Sequence, residues 1–63
     1  MATADLWVSE SWVRTVRALI ELYGMDWADA STITEYAEAE GSHAIPGSNG
    51  KILRFSGGKW SVR

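Results

Sequence analysis

Apolar residues recur at helical spacing in the first third of the chain. Trp12, Val16, Leu19, Ile20 and Tyr23 fall at i, i+4, i+7, i+8 and i+11, on one face of a helix. Arg14, Arg17 and Glu21 fall on the opposite side, and Glu10–Arg14 and Arg17–Glu21 form i,i+4 charge pairs. This pattern predicts a first helix over about 10–23, with Ser9 as its N-cap and Gly24 in the left-handed conformation that ends it. The run Asp26-Trp27-Ala28-Asp29-Ala30 reads as a separate short helical turn capped by Asp26. A second helix is expected over about 32–40, where Thr32 and Glu35 have capping-box spacing and Gly41 supplies the stop. Ile33, Tyr36 and Ala37 form its apolar side. Glu38 and Glu40 occupy its last turn, where the helix dipole disfavours anions, so a cation from the basic C-terminal segment is expected beside them.

After Gly41 the pattern changes. Residues 41–50 are turn-rich: Pro46-Gly47 suits a type II turn, Asn49-Gly50 a type I′ turn, and Ala44-Ile45 a short strand. Two alternating runs, 51–56 and 59–63, then flank Gly57-Gly58, a pair that supplies the positive φ angles of a two-residue hairpin loop. That turn sets the register: Ser56 opposite Lys59, Phe55 opposite Trp60, Arg54 opposite Ser61, Leu53 opposite Val62. Side chains alternate along a strand, so Leu53, Phe55, Trp60 and Val62 share an apolar face. Ile52, Arg54, Ser56, Lys59, Ser61 and Arg63 share the other face. The expected fold is α+β: two helices packed on a C-terminal antiparallel hairpin, in a single domain over 1–63. The expected core is Trp12, Val16, Leu19, Ile20, Tyr36, Leu53, Phe55, Trp60 and Val62. The N-terminal Leu6, Trp7 and Val8 are too apolar for a free tail and are expected to pack on it.

Composition sharpens this picture. A 63-residue domain buries only about 60% of its unfolded surface, and this one has no cysteine to staple it. The remaining routes to stability are self-association, a partner or a dense aromatic core, for which Trp7, Trp12, Trp27, Trp60, Tyr23, Tyr36 and Phe55 can each bury about 150–250 Å². No apolar run approaches the roughly 20 residues of a membrane span, and the first residues lack the pattern of a secretion signal. The expectation is a cytoplasmic protein. The net charge of −2 conceals a segregation: all eight acids lie at or before Glu40, so residues 1–42 carry −6 and residues 43–63 carry +4.

Catalytic chemistry finds little support. His43 is the only histidine, and one His with Glu40 nearby is no metal site. Ser42 beside His43 lacks a third orienting group on a Gly-rich connection. The stretch Gly47-Ser48-Asn49-Gly50-Lys51 fails the phosphate-loop pattern at both ends, with Ile45 at the first glycine position and Ile52 after the lysine. The reading is a non-enzyme with no metal and no cofactor.

The stretch from Ile45-Pro46-Gly47 through Leu53-Arg54-Phe55 to Lys59-Trp60 resembles the wing of excisionase-type helix-turn-helix proteins, over about half the chain. The resemblance implies a reduced winged-helix domain and nucleic-acid binding through Lys51, Arg54, Lys59 and Arg63, whose charges suit phosphates. It departs from the pattern at residues 42–50, where a recognition helix belongs. That segment holds Pro46 and has no Arg or Lys. The overall acidity favours a different function. Here the chain is a protein-binding inhibitor or adaptor of the kind mobile elements encode. It engages a basic, nucleic-acid-handling partner through Asp29, Glu35, Glu38 and Glu40. Self-association is compatible with either reading.

Overall fold

The computed structural model describes residues 7–63. The C-terminal hairpin is built from β3 (Ile52–Ser56) and β4 (Lys59–Val62), paired antiparallel with Leu53 opposite Val62, Arg54 opposite Ser61, Phe55 opposite Trp60 and Ser56 opposite Lys59. This is the register that Gly57-Gly58 predicts. Both glycines take positive φ, 59° and 79°. Two further strands extend the hairpin: β1 (Val8–Ser9) pairs with β4, and β2 (Ser42–Ala44) pairs with β3. The result is a four-stranded antiparallel sheet of order β1-β4-β3-β2. The helices connect its two edge strands and pack across one face.

Helix α1 (Trp12–Tyr23) starts later than the spacing predicts, because two serines divide the work. Ser9 belongs to β1 and its hydroxyl bonds the Ser11 backbone, whereas Ser11 Oγ accepts from Arg14 N at 3.2 Å and is the true N-cap. Gly24, at φ 71°, ends the helix as expected. Helix α2 (Trp27–Glu40) corrects the expected break at Thr32. Asp26 Oδ1 accepts from Asp29 N at 2.8 Å, and no Gly or Pro follows before Gly41, so the helix runs through uninterrupted. Thr32 is an exposed mid-helix residue and caps nothing.

The core lies between the helices and the sheet: Val16, Leu19, Ala30, Ile33, Ala37, Ile45, Leu53, Trp60 and Val62 are buried. Trp12, Ile20 and Phe55 are only partly buried against it. Tyr36 is a correction, being about half exposed on the outside of α2. Small residues take its expected place: Ala30, Thr34 and Ala37 recur at i, i+4 and i+7 and form the inward stripe. Buried Thr15 and Thr34 satisfy their hydroxyls on the carbonyls four residues back, Ser11 and Ala30, each at 2.8 Å. Trp60 joins the layers. Its ring packs on Phe55 at 4.6 Å, and its Nε1–H donates to the Thr34 carbonyl at 3.2 Å.

The N-terminal expectation divides. Trp7 packs against the core, Val8 stands exposed in β1, and Leu6 lies outside the described residues. The winged-helix comparison is not supported, because residues 42–50 form β2 and a loop where a recognition helix would stand. That loop is held by its own interior. Ile45 is buried, and the buried Ser48 hydroxyl donates to the Ile45 carbonyl and accepts from Lys51 N. Gly47, Asn49 and Gly50 carry the positive φ angles that the two expected turns require.

Candidate functional site

The acids of α2 and Arg54 of β3 lie on opposite sides of the two layers, whereas Glu10, Glu21, Lys51 and Lys59 share a groove beside α1. Helix α2 carries Asp29, Glu35, Glu38 and Glu40 and no Lys or Arg. Its inward stripe fixes where each acid points, at about 100° per residue. Glu35 projects away from the core beside Thr32 and Ala39, with which it lines a shallow depression together with Tyr36. Asp29 and Glu40 lie on the same flank as Tyr36. Glu38 leaves on the other flank, about 160° around the helix from Glu40. The four acids therefore wrap the exposed half of α2 and do not form one compact patch.

The expected cation beside the last turn is absent among the described residues. Lys59 turns to Glu10 instead, with Nζ 3.7 Å from Oε2, and both side chains are largely exposed. Such a pair ties the acidic and basic halves of the chain together only weakly. Tyr36 is the feature that hydrophobic patterning missed. Its ring stacks on His43 of β2, with centroids 5.6 Å apart and planes 18° from parallel. His43 is itself oriented, its Nδ1–H donating to the Ala44 carbonyl at 2.6 Å. An exposed aromatic ring is thus braced at the edge of an acidic surface. The available signal was chemical: Tyr36 and His43 are rings with polar tips, suited to a half-wet site.

The opposite face of the sheet is uncovered by any described element. Across it run Val8, Ser61, Arg54 and Ser42 as cross-strand neighbours, one from each strand. The next row holds Ile52 and Ala44, with Arg63 continuing the ladder through paired backbone bonds of 3.0 Å to Ile52. Ser56 and Lys59 form a third row. The structure therefore brings Arg54, Lys59 and Arg63 to one face. It separates Lys51 from Arg54: Lys51 shares the strand parity of Leu53 and, with Lys59, lines a groove beside Leu22 and Tyr23 of α1. No three His, Asp or Glu side chains gather into a metal-holding group among the described residues. No helix among them is long and apolar enough to cross a membrane. No protein-family model matches the chain, and no curated protein or solved structure shows significant similarity to it.

Proposed function

We propose that this chain is a small non-catalytic protein-binding module, an inhibitor or adaptor that engages a basic, nucleic-acid-handling partner in the cytoplasm through the exposed half of α2. The observation that carries the reading is Tyr36: an exposed ring stacked on His43 within a helix whose charged residues are all acids. Aromatic anchors supply much of the energy of protein interfaces, and a ring already held by a neighbour loses little freedom on docking. Asp29 and Glu40 share its flank and Glu35 lies beside it, and with Glu38 on the far flank they steer a cationic surface toward the helix, which acts chiefly on the association rate. Affinity capture from the native host, with and without nuclease, tests the class of partner. A basic protein retained after nuclease treatment and lost with Tyr36→Ala is the expected result. Retention only while nucleic acid remains contradicts the reading.

A second reading has one observation in its favour. Arg54 stands near the middle of the open sheet face, between the short side chains of Ser42 and Ser61, where a phosphate can reach it. On this reading Arg54, Lys59 and Arg63 contact a nucleic-acid backbone. The slope of log affinity against log salt then falls by about 0.9 for each phosphate contact removed, as with Arg54→Ala.

A further inference from the structure

We infer that the open sheet face is a docking surface for a second copy of this chain, which lays the exposed side of its α2 across Arg54. The inference rests on the reading of α2 as a binding surface and adds a second occupant to it. Charge complementarity is the argument. On the open sheet face Arg54 stands among strand residues that include no acid, while Lys59 already meets the exposed Glu10 at 3.7 Å. The charged residues of α2 are all acids. The two lie on opposite sides of the layered fold, so a copy cannot satisfy one with the other. Like faces repel: sheet against sheet opposes arginines, and helix against helix opposes glutamates.

Shape agrees with this arrangement. Ser42, Ser56 and Ser61 leave a low floor around Arg54, and Val8 and Ile52, both about half exposed, offer apolar contact to a ring such as Tyr36. A 14-residue helix is about 21 Å long, enough to cross four strands spaced about 4.8 Å apart. The contact is one helix face on an open sheet and is held largely by exposed charges, so the association is weak and sensitive to salt. Different patches meet, so the contact is heterologous and leaves a free face at each end.

Sedimentation velocity over a micromolar-to-millimolar series tests this, at about 0.01 M and about 1 M salt, where the screening length falls from about 30 to about 3 Å. At low salt the weight-average mass should rise with concentration from 6.9 kDa to beyond twice that value, and at high salt it should return to 6.9 kDa. Glu35→Lys alone and Arg54→Glu alone should each stay monomeric. Their equimolar mixture should assemble again, because the reversed helix of one then faces the reversed sheet of the other. A wild-type chain that stays monomeric at low salt overturns the inference, as does a salt-insensitive dimer that survives Arg54→Glu. So does a mixture that fails to assemble while both variants keep wild-type circular dichroism. A complex of monomer with duplex DNA that is lost in Arg54→Glu, without self-assembly, assigns the face to nucleic acid and overturns it equally. Binding of a poly-lysine peptide separates the inference from the reading beneath it. If the wild type stays monomeric at low salt yet binds the peptide and Glu35→Lys does not, the α2 reading stands while the second-copy contact falls; if the wild type neither assembles nor binds the peptide, both fall.

Discussion

Replacing Trp60 by alanine is the most demanding test of the packing. Trp60 is only 4% exposed, lies on the sheet face that meets the helices, and ties β4 to α2 through its bond to the Thr34 carbonyl. Truncating a buried tryptophan to alanine costs about 3–5 kcal/mol in lost burial and cavity formation. The Phe55 ring then loses its partner at 4.6 Å, a contact worth about 0.5–1.5 kcal/mol beyond area. A single core of this size supplies roughly 3–5 kcal/mol of net stability, so the loss equals or exceeds the whole. Trp60→Ala should therefore be largely unfolded at 25 °C without denaturant. Trp60→Phe keeps a buried ring and loses the N–H donor, a hydrogen bond worth about 0.5–1.5 kcal/mol, together with the excess indole volume. It should stay folded with a lower urea midpoint. Urea titration followed by circular dichroism at 222 nm reads both. A Trp60→Ala chain that unfolds cooperatively within about 1 kcal/mol of wild type would refute the assignment of Trp60 to the centre of the fold.

The backbone and the helix ends make further tests by the same assay. Gly57 has φ 59° and open space where a Cβ would stand, so Gly57→Val should cost about 1–2 kcal/mol from conformation alone, and Gly57→Asn should be nearly neutral. Asp26→Ala removes the cap of α2 and should cost about 1 kcal/mol, whereas Thr32→Ala, at an exposed mid-helix position, should leave stability unchanged or raise it by up to about 0.7 kcal/mol. Glu40→Lys places a cation at a helix end that has no basic residue, and should raise stability by about 0.3–1 kcal/mol at low salt.

Those tests follow the line between what the sequence disclosed and what it did not. The hairpin register was legible because Gly57-Gly58 admits a narrow set of turns, and each turn fixes every pair beyond it. Gly24 and Gly41 marked the helix ends for the same reason, since few other residues take left-handed φ without cost. Helix α2 was harder. Its inward stripe is Ala30, Ile33, Thr34 and Ala37, mostly small residues that hydrophobicity scarcely ranks, while the larger Tyr36 faces out. The wrong cap followed: Thr32 with Glu35 matches the capping-box pattern, but Asp26 lies one short stretch upstream and nothing breaks the helix between them. Strand β1 has two residues, too few for alternation to show, and its pairing with β4 is decided by the sheet it joins. The candidate surfaces were half visible. Charge segregation is written in the sequence, but the exposure of Tyr36, its stack on His43 and the parting of Lys51 from Arg54 depend on which way each element faces.

The claim that α2 is the binding face meets its most direct test in the association rate of the captured basic partner with wild-type and charge-reversed chains. Glu35→Lys and Glu38→Lys should each slow association, with the difference shrinking as salt rises, while Arg54→Ala and Lys59→Ala leave the rate and the complex intact. Circular dichroism must first show all four variants folded, since so small a domain has little stability to lose. Unchanged rates for the helix variants, with association lost in Arg54→Ala and Lys59→Ala, would contradict the account and assign binding to the sheet.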